Sequence, residues 1–162
     1  MYQDFADHKA GFGGYSASTG YVLSSAPKHW RKAMTDRTVL DVYRHEVDAP
    51  REEHYAHWTP AGRRVVSTAE FFNKTCALAD SLSDLGVGTG DRVMVMCGNR
   101  PEWHMVDLAV LDLGAVDVPV YETLTPDQIA YQVNDSGAEE VVVEKPERMA
   151  AFLSIRHRCP GL

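Results

Sequence analysis

Residues 11–20, GFGGYSASTG, set four glycines among hydroxyl side chains. That is the composition of a loop whose backbone N–H groups cradle a phosphate. A P-loop needs Gly-Lys-Ser/Thr in register, and no lysine follows here. A dinucleotide fingerprint needs a strand before it, and none precedes it. The stretch therefore reads as part of an irregular leader. Seven histidines raise the question of a metal. His54 and His57 lie three apart on an expected strand, hence on opposite faces. His45, His104 and His157 have no carboxylate or cysteine at ligand spacing, so no metal site is expected. Asp107 and Asp112 read as the polar face of a helix rather than an acid/base pair. No Ser-His-Asp arrangement assembles from spacing alone.

The positional signal is stronger. In open parallel sheets, ligands gather beyond the carboxyl ends of the strands. That rule selects Gly98, Asn99 and Arg100 after one expected strand, and Tyr121, Glu122 and Thr123 after the next. These six form the candidate pocket or interface. A plain structural role competes, because Asn99 and Thr125 are both placed to cap helices.

The elements that must position these residues follow from periodicity. Val39, Leu40, Tyr43 and Val47 share one face of a first helix. HYAHW and RRVVS flank Thr59–Gly62 as a hairpin. Ser67 and Glu70 have capping-box spacing, opening a helix with Phe71, Thr75, Leu78, Leu82 and Leu85 on one face and Gly86 as its stop. DRVMVMC is apolar at both parities, the mark of a strand buried on both faces. Asn99 is expected to cap the next helix, whose stripe is Trp103, Val106, Val110 and Leu113, ending at Gly114. Val116, Val118 and Val120 form a strand with Pro119 at an edge or end. Thr125 and Gln128 form a second capping box, with Ile129, Ala130 and Val133 inward and Gly137 as the stop. EEVVVE and PERMAAFLSIRHR give a third strand and a last helix. The strands begin near Arg92, Val116 and Glu140, 24 residues apart, with a helix in each gap.

The expected class is therefore α/β: a largely parallel sheet built from βαβ units with flanking helices, preceded by a β-hairpin. Residues 1–37 form an irregular or flexible leader, and residues 38–162 the folded part. Crossovers running in one direction would place their helices on one sheet face. The bare remainder would then promote self-association.

The chain has 162 residues, of which 44% are hydrophobic and 24% charged, the range of a soluble globular domain. A net charge of −7 argues against a nucleic-acid partner. No run of about 18 apolar residues offers a spanning helix; peripheral membrane contact stays open. Cys76, Cys97 and Cys159 form no C-x-x-C pair, which points to a reduced, cytoplasmic setting.

The ordered segments Gly90-Asp91-Arg92-Val93, Asn99-Arg100-Pro101-Glu102-Trp103, Val118-Pro119-Val120-Tyr121 and Thr123-Leu124-Thr125-Pro126 carry a further signal. From about Thr38 onward the sequence resembles the N-terminal region of long-chain acyl-CoA synthetases. These belong to the AMP-binding, adenylate-forming superfamily. The resemblance implies a ligase that joins a fatty acid to coenzyme A. The carboxylate attacks the α-phosphate of ATP, Mg²⁺ screens the phosphates, and the thiol then displaces AMP. The family's phosphate loop ending in Pro-Lys-Gly, its acidic ribose contact, its hinge and its C-terminal-domain lysine find no match in these 162 residues. No catalytic residue is carried over. ATP, Mg and CoA belong to the full-length family, and none is expected to bind this fragment tightly. The leading expectation is thus an acyl-CoA synthetase fragment, inactive by itself. A free-standing nucleotide- or acyl-binding module and a structural dimerisation piece are the alternatives.

Overall fold

The computed structural model describes residues 38–162. The leader, with its Gly-rich stretch, lies outside the described residues. In chain order the elements are α1 (Val39–Asp48), β1 (Tyr55–Thr59), β2 (Gly62–Val66), α2 (Thr68–Asp84), β3 (Arg92–Met96) and α3 (Pro101–Asp112). Then come β4 (Val116–Pro119), α4 (Pro126–Ser136), β5 (Glu140–Val143), α5 (Pro146–Ile155) and a 3₁₀ turn at Arg156–Arg158.

β3 is the centre of a three-stranded parallel sheet of order β4-β3-β5. Arg92 lies opposite Val116, and Val93 opposite Glu140. Val93, Met94, Val95 and Met96 are all essentially inaccessible to solvent. Val93 and Val95 pack with Val106 and Val110 of α3 and with Ala79 and Leu82 of α2. Met94 and Met96 pack with Ile129 and Val133 of α4 and with Phe152 and Ile155 of α5. Both faces are covered, which corrects the expectation of helices on one face. The connection from β4 returns past β3 to reach its far edge. Reversing direction between two right-handed crossovers puts their helices on opposite sides.

The hairpin pairs Tyr55 with Val66 through Thr59 with Gly62. Its Thr59 hydroxyl donates to the Gly62 carbonyl at 2.9 Å. Tyr55 faces inward and stacks on Phe71 of α2 (4.9 Å between centroids) and on His104 of α3 (5.3 Å). Tyr43 of α1 meets the Phe71 edge at 5.6 Å. Val39, expected on the buried face of α1, is exposed.

The caps divide. At α4 the box is complete: the Thr125 hydroxyl accepts from Gln128 N–H at 3.4 Å, and Gln128 Oε1 accepts from Thr125 N–H at 2.9 Å. At α2 only one arm forms. Ser67 accepts from Glu70 N–H at 3.1 Å, while the Glu70 carboxylate turns to Arg64 (3.0 Å) and Lys74 (2.7 Å). Two nearby cations outweigh one backbone amide as partners for a charge. Leu85 is the exposed C-cap of α2 rather than part of its buried face. Asn99 does not cap α3; Arg100 holds that position, with no side-chain cap bond.

Candidate functional site

The carboxyl ends of β3, β4 and β5 meet in one charged cluster. β5 ends in Val143, and the next residue, Glu144, reaches back to the exit of β3. Its Oε2 accepts from Gly98 N–H at 2.7 Å, and its Oε1 accepts from Arg100 Nη1 at 2.7 Å. Arg100 Nε donates in turn to Glu102 Oε2 at 2.7 Å, in the first turn of α3. Beyond β4, Glu122 Oε1 accepts from Lys145 Nζ at 2.6 Å. Paired charges thus cross-tie all three strand exits. Gly98 makes this approach feasible. A Cβ there would stand 3.1 Å from both Glu122 Oε2 and Glu144 Oε2.

The electrostatics follow from these contacts. Burial works to raise the pKa of Glu144, but the Gly98 amide and Arg100 overcome it and hold the carboxyl below its ordinary value. Glu102 behaves the same way, with Arg100 outweighing burial. The bonds that Arg100 donates to Glu102 and Glu144 raise its pKa further, fixing its charge. Burial, then the Glu144 charge, push the Cys97 thiol up to about 12, so it is not a nucleophile at neutral pH. An open cleft of about 380 Å³ lies alongside, lined by Glu122, Thr123, Lys145, Glu147 and Arg148.

Of the six residues selected from sequence, the fold brings Gly98, Arg100 and Glu122 together. Thr123 lines the cleft beside them. Asn99 and Tyr121 are exposed and take no part in this network. Glu144, Lys145 and Glu102 were missed. The rule of strand carboxyl ends, applied to the third strand, would have found the first two. Glu102 lies in the first turn of α3 rather than at a strand end, so that rule does not select it.

The family match decides the assignment. The description "AMP-binding enzyme" matches residues 43–160. The chain belongs to this AMP-binding enzyme family. Among its relatives is the long-chain-fatty-acid–CoA ligase FadD15 of Mycobacterium bovis, 32% identical over 138 residues, covering 85% of this chain and 23% of the relative. The long-chain-fatty-acid–CoA ligase 6 of Mus musculus is 40% identical over 81 residues, covering 49% of this chain and 12% of the relative. The crystal structure of the N-terminal domain of FACL13 from Mycobacterium tuberculosis shares the fold, with a TM-score of 0.64 at 23% identity. That likeness covers 74% of this chain and 30% of the other. The chain spans less than a quarter of the length of the two ligases.

An AMP-binding enzyme handles a nucleotide triphosphate, so the donors at the strand ends can be tested against that group. The Gly98 amide, the Arg100 guanidinium and the Lys145 ammonium are each held by a carboxylate of this chain. Glu102, Glu122, Glu144 and Glu147 outnumber Arg100, Lys145 and Arg148 around them. These residues do not fit a triphosphate. Among the described residues no three His, Cys, Asp or Glu side chains gather as metal ligands.

Proposed function

We propose that this chain is the N-terminal part of a long-chain fatty acid–CoA ligase. The whole protein would convert fatty acid, ATP and CoA to acyl-CoA, AMP and pyrophosphate, with Mg²⁺. The family match over residues 43–160 carries this reading. The ligase relatives support it.

We propose further that these 162 residues do not adenylate a fatty acid by themselves, nor hold ATP, Mg²⁺ or CoA tightly. The support is electrostatic: the donors at the sheet's carboxyl end are committed to internal carboxylates. In this reading the cluster of Gly98, Arg100, Glu122 and Glu144 is scaffold beneath a site completed by other segments, with Thr123, Asn99 and Tyr121 facing them. Purified chain, incubated with ATP, Mg²⁺ and a long-chain fatty acid, should release no pyrophosphate above the rate without fatty acid. Acid-dependent release abolished by heat denaturation would overturn the proposal.

A reduced, cytoplasmic location is proposed, supported by cysteines that are free among the described residues. No helix among those residues is long and apolar enough to cross a membrane. We assign any self-association to the outer edge of β5, whose Val141–Val143 run has no proline to block pairing, whereas β4 carries Pro119. Val142→Lys should lower the sedimentation-derived mass of any oligomer, and an unchanged mass would exclude that edge.

A further inference from the structure

His54 is a buried imidazole with one nitrogen left over. It stands immediately before β1, and its side chain is 8% exposed. Its ring lies edge-on to Tyr55, 4.8 Å between centroids, and tilted against Phe71 of α2 at 5.1 Å. Nδ1 is cut off from solvent and has no hydrogen-bond partner. Glu46 Oε2 of α1 stands 3.8 Å from it, beyond hydrogen-bond reach, and is already held by Arg51 Nη2. The backbone is pinned at His54 and three residues before it. His54 N–H donates to the Val66 carbonyl at 3.0 Å. Arg51 N–H donates to the Thr68 hydroxyl at 2.9 Å, and the Arg51 carbonyl accepts from Thr68 N–H at 2.9 Å.

A proton on this ring adds a charge where water does not reach it. Glu46 can answer that charge only by loosening its hold on Arg51. With the backbone fixed at residues 51 and 54, hydrating the ring requires the segment to let go. We propose that protonation of His54 unlatches α1 and the β1–β2 hairpin from α2, so that residues 39–66 form an acid-sensitive flap beside a sheet that stays folded. Phe71 is the shared anchor. His54, Tyr55 and Tyr43 pack on it at 5.1, 4.9 and 5.6 Å, so a displaced His54 ring disturbs each of these contacts.

The surrounding groups set the sign. Burial, then the Arg51 charge, lower the His54 pKa, and the Glu46 charge opposes them. Tyr55 from β1 and Tyr43 from α1 bring phenols that burial keeps neutral. His104 of α3 stacks on Tyr55 at 5.3 Å. Glu53, the preceding residue, is paired with Arg63 of β2, and Glu70 of α2 with Arg64 and Lys74. The folded pKa of His54 thus lies below the ordinary imidazole value of 6.5. Stabilisation by the neutral ring is fully present above that ordinary value, and is lost as pH falls from it through the folded pKa.

The test is equilibrium unfolding of the full chain from pH 7.5 to pH 5, with hydrogen exchange at residues 39–66 and at β3. His54→Phe keeps a ring against Tyr55 and Phe71 but takes no proton. Relative to that variant, the wild-type folded-to-unfolded ratio should fall by up to about tenfold per pH unit as pH drops below about 6.5. Exchange in 39–66, corrected for its intrinsic pH dependence, should quicken in acid in wild type alone, with β3 unmoved in both proteins. Arg51→Gln removes an opposing charge and frees Glu46, so it should weaken the acid response. Glu46→Gln should strengthen it. The same acid slope in wild type and His54→Phe, or exchange in 39–66 that quickens only together with β3, would overturn the flap. Should His54→Phe fail to fold, NMR titration of the wild-type imidazoles decides. A His54 ring titrating below about 6.5 supports the flap, and one titrating at or above that value refutes it.

Discussion

The backbone N–H of Gly98 donates to Glu144 Oε2 at 2.7 Å, a bond that spans 46 residues of chain. The other oxygen of the same carboxylate holds Arg100 at 2.7 Å. One side chain at the end of β5 therefore satisfies both an amide and a guanidinium at the exit of β3. Glu144→Ala removes both acceptors at once and should cost roughly 1–3 kcal/mol. Glu144→Gln keeps an acceptor for Gly98 and should cost less. Urea unfolding of the three proteins checks the order; equal midpoints would show that the tie contributes nothing.

The same contacts give stability an acid limb. The folded pKa of Glu144 lies below its ordinary value, because the Gly98 amide and Arg100 outweigh burial. Its contribution is present above the ordinary carboxylate pKa and is lost as pH falls through the folded one. Glu144→Gln should therefore unfold less steeply than wild type as pH drops from 5 to 3. An identical acid limb would place the loss elsewhere.

Gly98 is constrained by what stands over it. A Cβ would lie 3.1 Å from both Glu122 Oε2 and Glu144 Oε2, so the carboxylates must retreat by a few tenths of an ångström. Gly98→Ala should cost about 1 kcal/mol through this crowding. Combined with Glu122→Ala, the cost should shrink, because one of the two crowding groups is gone. A double-mutant cycle measures the coupling; strict additivity would mean that the Cβ fits without displacing Glu122.

The two capping sites should respond differently to salt. Thr125→Ala breaks a complete box and should cost about 1 kcal/mol at any ionic strength. Glu70→Ala removes exposed ion pairs with Arg64 and Lys74, so its smaller effect should fade as salt screens them. Thermal melts at low and high salt separate the two. A salt-insensitive Glu70→Ala would argue that its carboxylate caps after all.

Met96 is 1% exposed and packs beneath α4 and α5. Met96→Ala should cost about 2–5 kcal/mol, since a cavity remains where the side chain was. The result bears on the topology. A near-neutral substitution would be inconsistent with helices on that face of β3.

Much of this architecture was legible along the chain because it is local. Apolar residues at both parities of RVMVM announced a strand covered on both sides. The 24-residue spacing of Arg92, Val116 and Glu140 announced βαβ units. The Thr125–Gln128 box needs only four consecutive residues to form. The strand exits at Gly98–Arg100 and Tyr121–Thr123 could be located for the same reason, since a loop's position depends on where its strand ends.

What the sequence did not determine was which distant groups meet. Strand order β4-β3-β5 depends on whether a crossover returns past its starting strand, and both directions suit the same local pattern. That choice put α3 and α4 on opposite faces and closed the face expected to be bare. It also brought Glu144 to Gly98. The Ser67 box failed on its second arm because Arg64 and Lys74 compete for Glu70, and Asn99 lost its cap to Arg100. Short-range hydrogen bonding and apolar period fix the elements. Long-range packing decides which charges share a neighbourhood, and charge energies depend on neighbourhood rather than on sequence spacing.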